Sequence, residues 1–315
     1  MNIGLDIMGG DYAPEATIDG AILANEVLAD TDSIVLFGDE ELIRSKLKER
    51  GVDPDNFNIV HAPEMIGMGD QPIKAFTQKP QSSISVGFQF LKEGKIDAFA
   101  SAGNSGAMVV GSMYNTEMID GILRPCTAGL LTKENGGSTY LLDIGTNPDP
   151  KPEVMVQFGI LGSYFAKFVN NVENPRVGLL NIGEEKEKGS ILSQATYKLM
   201  KDSKQINFIG NIEGSDLLMD KADVVVCDGF TGNVILKQIE SMYHLLKRRN
   251  FYDDFVEGMN YENFGGTPIL GIKSNVVIGH GISNKKAIKN MILLTKTVHE
   301  AKLSLKIESE LQKHL

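Results

Sequence analysis

Short apolar, β-branched runs recur along this chain, and five of them stop abruptly in glycine-rich breaks. The first reads "IGLDIMGGDYAPE"; after "DAFASA" comes "GNSGAM", after "TYLLD" comes "IGTNPDPKPE", after "VGLLN" comes "IGEEKEKGS", and after "ADVVVCD" comes "GFTGNV". Strands are expected at 3–8, 33–37, 58–61, 96–100, 138–143, 177–182, 206–210 and 222–228. The stretches between them carry helical spacing, with Ile18, Ala21, Ile22 and Leu28 early in the chain and Ile288, Met291, Ile292, Thr295 and Val298 late in it. Strands alternating with amphipathic helices predict a mostly parallel sheet covered on both faces, an α/β fold of three layers, α/β/α. Within it, "CTAGLLTKENGGSTYLLD" sets Asn-Gly-Gly between two apolar runs and predicts an antiparallel hairpin. No repeat, low-complexity tract or linker divides the chain, so a single domain over 1–315 is expected, least regular between 247 and 268.

The breaks share a chemistry. In an open parallel sheet the C-terminal strand ends lie along one edge, where ligands bind. Glycine lets a ligand approach the backbone, and the first turn of each following helix offers unpaired N–H groups with partial positive charge. Loops of this kind converging on one crevice make an anion site, with Gly9 and Gly10 as one of its walls. Taken singly, each loop is also ordinary turn chemistry.

Composition narrows the field. Hydrophobic residues at 42% and charged residues at 23% of 315 suit a globular protein with a sizeable core. With 31 basic against 41 acidic residues the net charge is −10, which disfavours nucleic-acid binding. No basic segment followed by an apolar stretch opens the chain, and no run of about 18 apolar residues occurs, so a cytoplasmic location is expected. Cys126 and Cys227 form no CxxC pair or metal-ligand cluster and read as buried thiols.

The usual nucleotide and hydrolase signatures do not fit: GxxxxGK[ST], a helix-opening GxGxxG and GxSxG are all missing. Of five histidines, His244, His299 and His314 fall in helical patterns, His61 ends a strand, and His280 in "VVIGHGISN" follows another. The chemistry is therefore expected not to depend on a covalent nucleophile.

Seven stretches, "LDIMGGDYAPE", "SAGNSGAM", "LLDIGTNPDPKPE", "VGLLNIGEEKEKGS", "NFIGNIEG", "VVVCDGFTGNV" and "NFGGTPILGI", resemble in order the signatures of the bacterial phosphate acyltransferases of phospholipid synthesis. The resemblance implies a fold similar to the isocitrate and isopropylmalate dehydrogenases and to phosphotransacetylases. It also implies a cytosolic, peripherally membrane-associated homodimer that moves a long-chain acyl group from acyl carrier protein to inorganic phosphate. An integral membrane acyltransferase would use the acyl phosphate to acylate glycerol 3-phosphate. Such a reaction needs no nucleophilic side chain, because phosphate is already an anion at neutral pH and a thiol of pKa about 8.5 leaves readily. Position and charge compensation are what the protein must supply.

The resemblance maps the family's catalytic lysine and asparagine onto Lys188 and Asn233, with Lys186 a close competitor for the first. Read from the residues alone, Lys188 is equally a solvated lysine in a charge run and Asn233 an N-cap opening the last long helix. Gly9, Gly10, Asp11, Asn104, Ser105, Gly106, Gly145, Asn147 and Gly232 are the expected phosphate or substrate contacts. Asp6 and Asp143 are expected to fix loop amides. No cofactor and no metal are implied.

Lys247, Arg248 and Arg249, beside Phe251, Tyr252 and Phe255, form the expected patch for an acidic carrier protein or anionic membrane, within a helical dimer and partner-binding region around 234–268. The same cluster also reads as a favourable helix C-terminus. "QPIKAFTQKPQSS" departs from the family's more basic run and keeps Lys74, Lys79, Ser82 and Ser83. Two alternatives stand beside acyl transfer: a dehydrogenase of the isopropylmalate type on the same fold, and a non-catalytic membrane-organising protein.

Overall fold

The computed structural model describes residues 1–313. The chain begins with β1 (Asn2–Asp6), α1 (Glu15–Asn25), β2 (Ser33–Gly38), α2 (Glu40–Glu49), β3 (Asn58–His61), α3 (Pro72–Gln78), α4 (Ser83–Lys92), β4 (Ala98–Ser101) and α5 (Ser105–Asn115). It continues with β5 (Cys126–Thr132), β6 (Ser138–Leu142), α6 (Pro152–Asn170), β7 (Arg176–Leu180), α7 (Ile191–Asp202), β8 (Asn207–Ile212), β9 (Val224–Val226), α8 (Gly229–Arg248) and α9 (Asp254–Gly258). It closes with β10 (Thr267–Leu270), β11 (Asn275–Ile278), α10 (Lys285–Glu300) and α11 (Leu303–Gln312). These elements form two compact units, the first from Met1–Met118 and Tyr261–Lys302, the second from Ile119–Asn260 and the segment from Leu303 onward.

In the first unit the strands run in the order β3-β2-β1-β4-β11-β10, all parallel except β10, which pairs antiparallel with β11. The pleat sends alternate side chains of a strand to opposite faces. Ile34 and Leu36 of β2 join Ile18 and Ala21 of α1, Ile43 of α2 and Ile288 of α10. Val35 and Phe37, one residue out of phase, join Phe88 of α4 and Met108 of α5. Both faces are thus covered, and each large side chain buried in this way contributes about 1.5–3 kcal/mol.

The second unit repeats the plan with strand order β5-β6-β9-β7-β8. β6, β9, β7 and β8 are parallel, while β5 and β6 form the expected antiparallel hairpin, in register from Ala128 opposite Leu142 to Thr132 opposite Ser138. Leu141 and Val225 pack with Ile235, Leu236 and Ile239 of α8. On the other face Gly159 and Gly162 of α6 lie against Val177, Val226, Leu142 and Val224. Each unit is an α/β/α layering. Among the described residues no helix is long and apolar enough to cross a membrane. His314 lies outside the described residues.

Candidate active site

In the second unit, strand order places the C-terminal ends of β6, β9, β7 and β8 side by side, at the sheet spacing of about 4.8 Å per strand. Three of the expected breaks leave from the first three of those ends. After β6 the chain turns about Asp143, which is fully buried. Its Oδ1 accepts from the Thr127 N–H, the Thr127 hydroxyl and the Ile144 N–H, each at 2.9 Å. Its Oδ2 accepts from the Asn147 N–H and, at 3.1 Å, from Asn147 Nδ2. The carboxylate is saturated by donors, so it fixes the loop that carries Gly145 and Asn147. Asn147 is itself committed: its amide also donates to the Pro125 carbonyl at 2.8 Å, and its carbonyl accepts from the Gly229 N–H at 2.8 Å.

After β9, Asp228 caps α8 by accepting from the Thr231 N–H at 2.8 Å and its hydroxyl at 2.7 Å. Asn233 was expected as the first residue of this helix; it lies a full turn inside it, and α10 is a further long helix downstream. The glycines of "DGFTGN" are helical because Asp228 satisfies the first turn. A side chain at Gly232 would place its Cβ 1.9 Å from the Asp143 carbonyl oxygen, so only glycine allows α8 to seat there. The Gly232 N–H donates to the Asp228 carbonyl at 3.0 Å, which makes this residue a packing contact. Asn233, half-buried, lies against Gly145, and among the described residues its amide has no hydrogen-bond partner.

After β7 comes the loop that holds Lys188. Lys186 pairs with Glu187 at 3.4 Å, and Lys221 takes Glu184 and Asp216. Lys188 is exposed, its stem resting on Gly183, and among the described residues its ammonium has no carboxylate within ion-pair distance. Of the two competing lysines it is therefore the one whose charge is uncommitted.

In the first unit the C-terminal ends of β2, β1, β4 and β11 are likewise adjacent. Asp6 ends β1, buried, accepting from the Ser101 hydroxyl at 2.6 Å and the Met8 N–H at 2.9 Å. Burial pushes its carboxyl above the usual carboxylate range, against hydrogen bonds from Ser101 and Ser83. Gly9 is fitted between Asp6 and Gly103, where a Cβ would sit 2.3 Å from Asp6 Oδ2. Gly10 follows beside Ala102, and the Asp11 N–H donates to the Gly281 carbonyl at 2.7 Å.

Asn104 was expected to touch substrate, yet its side chain is fully engaged. Oδ1 caps α5 through the Ala107 N–H at 2.9 Å, and Nδ2 donates to the carbonyls of Gly67, Met68 and Asp70 at 3.0–3.3 Å. The open groups at this helix start are the exposed Ser105 and the first-turn N–H groups of Ser105 and Gly106. Lys79 is tied to Asp70 at 2.6 Å, and Ser82 caps α4. His61 accepts from the Glu40 N–H at 3.2 Å, and His280 packs against Tyr261.

The basic patch changes composition on folding. All three basic residues are exposed, but Lys247 donates to the Tyr243 hydroxyl at 3.0 Å and lies over its ring, which sets it apart from Arg248 and Arg249. Cys126 and Cys227 are both free and buried, and burial pushes each thiol up.

The profile of the family described as fatty acid synthesis protein matches residues 1–306. The chain belongs to this family. One relative, the phosphate acyltransferase of Thermoanaerobacterium thermosaccharolyticum, is 40% identical over an alignment of 331 positions, gaps included, that covers 99% of this chain and 97% of its own. The phosphate acyltransferase of Endomicrobium trichonymphae is 42% identical, covering 93% and 92%. Among solved structures, a phosphotransacetylase from Streptococcus pyogenes superposes with a TM-score of 0.65 at 16% identity, over 97% of this chain and 94% of its own. A branched-chain phosphotransacylase from Enterococcus faecalis gives 0.65 at 12%, over 95% and 99%. At those identities the structures speak for the fold alone. Membership in the fatty acid synthesis protein family agrees with the resemblance carried by the seven stretches.

Side chains that sequence reasoning missed are Asp228, Asn181, Asn211 and Gln194. Asp228 had a readable signal, an acid directly before a helix-starting glycine. The two asparagines stand in motifs that resemble the family, but nothing in their spacing gives them a role.

Proposed function

We propose that this chain transfers an acyl group from a thioester to inorganic phosphate. A phosphate oxygen bonds to the carbonyl carbon, the C–S bond breaks, the thiolate leaves with its electron pair and takes a proton from solvent, and an acyl phosphate results. The observation that carries this reading is the pair of uncommitted groups, Lys188 on the loop after β7 and Asn233 in the opening turns of α8 after β9, which follow adjacent strands of one sheet edge. Neither is a nucleophile; both are suited to developing negative charge, Asn233 as a neutral donor to the oxyanion and Lys188 as a counter-charge to phosphate or oxyanion. Asp143, which would repel phosphate if bare, is covered by donors. Relatives named phosphate acyltransferase, matching nearly end to end, support the same reading.

In the fuller proposal the donor is long-chain acyl carrier protein, and the acyl phosphate feeds a membrane acyltransferase of phospholipid synthesis. The protein works as a cytoplasmic homodimer with reversible contact to anionic membrane through Arg248 and Arg249. In the first unit, taken by itself, Gly10, Ser105 and Gly106 are proposed as anion contacts through backbone N–H groups and the Ser105 hydroxyl, whereas the N–H groups of Gly9 and Asp11 are taken by Asp6 and the Gly281 carbonyl. Gly145 supplies close approach beside Asn233.

The test mixes purified protein with long-chain acyl carrier protein and follows free carrier thiol and acyl phosphate. Thiol release that requires phosphate is expected; release at an equal rate without it would mark a thioesterase. Lys188→Ala and Asn233→Ala are each expected to lower turnover about 10²–10³-fold. Their unfolding midpoints should stay near the wild-type value, whereas a non-catalytic organiser would be indifferent to both changes.

A further inference from the structure

The loop that presents Lys188 has no regular secondary structure, yet side chains from three elements hold its backbone. Asn181, directly after β7, donates from Nδ2 to the Lys188 carbonyl at 3.1 Å. Gln194 on α7 donates from Nε2 to the carbonyls of Glu187 at 2.9 Å and Gly189 at 3.2 Å. Asn211, the second-to-last residue of strand β8, donates from Nδ2 to the Glu185 carbonyl at 2.9 Å. Four loop carbonyls, including that of Lys188 and those on both sides of it, are therefore fixed by carboxamides.

Asn211 is the most telling of the three. It is 5% exposed, and its Oδ1 is buried with no hydrogen-bond partner among the described residues. A buried acceptor left unmatched is costly. What the position retains is the donor toward Glu185. Asn181 is bound twice, since its Oδ1 also accepts from the Ile182 N–H at 2.9 Å. Around the loop, Glu184 is held by Lys221 and Lys186 by Glu187, so the backbone is tethered, and of the two lysines in this loop only Lys188 has an ammonium outside an ion pair among the described residues.

We propose that Asn181, Gln194 and Asn211 are positioning residues: they set the backbone from which Lys188 reaches the reacting anion, and they contribute to turnover only through that lysine. A loop of five consecutive charged residues, 184–188, would otherwise sample many backbone states. Misplacing a charge-compensating group by about 1 Å can cost on the order of 100-fold in rate. This inference rests on the acyl-transfer reading given above.

The experiment is a double-mutant cycle on the full-length protein, using Asn211→Asp and Gln194→Glu, near-isosteric changes that put an oxygen where each donor stood. Each is introduced with Lys188 present and again beside Lys188→Ala. With Lys188 present, kcat/KM for phosphate-dependent thiol release is expected to fall about 10- to 100-fold. Beside Lys188→Ala the same changes are expected to alter the residual rate by no more than about twofold, the ordinary scatter of such a cycle. Equal losses in both backgrounds overturn the proposal, since the amides would then act independently of the lysine. Amide hydrogen exchange gives a reading without turnover: protection of the Lys188 N–H, which donates to the same Glu185 carbonyl at 3.1 Å, should fall in Asn211→Asp, and unchanged protection also overturns the positioning role. Wild-type protein forming no acyl phosphate would sink the reaction assigned above, while the exchange result would still decide whether the amides hold the loop.

Discussion

Gly232 governs the site without offering any group to a ligand. A methyl group there would collide with the Asp143 carbonyl, which is itself part of a turn fixed by five hydrogen bonds, so neither partner can give way. Gly232→Ala is expected to destabilise the fold by about 1–3 kcal/mol or more and to depress turnover, as urea unfolding and initial rates would show. Gly214→Ala, with nothing within 4 Å of its Cβ, should change stability by no more than about 0.5 kcal/mol. Asn104 offers a finer contrast. Asn104→Asp keeps the oxygen that caps α5 but replaces the donor to three carbonyls, so loop 67–70 should become sensitive to limited proteolysis while α5 remains capped. At this scale the sequence was legible in part: it singled out Gly9, Asn104, Asp143, Gly232 and Asn233 as belonging to the breaks. It did not show that Asn104 and Gly232 face protein, because side-chain direction depends on partners far away along the chain, such as the carbonyls of 67–70 or of Asp143.

Among the elements, the antiparallel hairpin was legible from its Asn-Gly-Gly turn, and the parallel strands from their β-branched runs. β10 was not among the expected strands, being four residues long with Pro268 second, too short to show a period. The start of α8 was hidden for a different reason: glycine and threonine weigh against helix locally, and only the Asp228 cap and packing on Asp143 reverse that preference. The hairpin also carries a charge cluster no pattern announced. Lys133, 5% exposed, pairs with Asp223 at 2.8 Å, and Arg176 donates to the same carboxylate. Burial opposes ionisation of Asp223, but hydrogen bonds from Arg176 and Lys133 outweigh it and hold the carboxyl well below the usual range. A depressed folded value means its contribution is complete above the unfolded carboxylate pKa of about 3.9 and is lost as pH falls through the lower folded value. Asp223→Asn is therefore expected to cost on the order of 3 kcal/mol at pH 7. The gap to wild type should narrow only below about pH 4, as followed by urea unfolding across a pH series.

The whole molecule is acidic, at −10, so contact with an anionic surface depends on a local exception to its own field. Arg248 and Arg249 are that exception, with Lys247 engaged by Tyr243. Co-sedimentation with vesicles containing anionic lipid should be weak, should fall as salt rises from about 0.1 to 0.5 M, and should vanish in Arg248→Glu/Arg249→Glu. Retention at high salt would assign membrane contact to apolar insertion instead. Fold class was readable at this scale, but the division into two units was not, because the chain crosses from one unit to the other without a compositional linker.

That crossing has a bearing on how the protein is made. β11 lies directly beside β4 in the first unit, yet β4 ends at Ser101 and β11 begins only at Asn275. On the ribosome, β4 therefore emerges long before its neighbour and waits as an open strand edge until the closing stretch of synthesis, a state prone to self-association. Nascent chains interrupted after Asn260 should accordingly demand chaperone capture, while chains released beyond α10 should not.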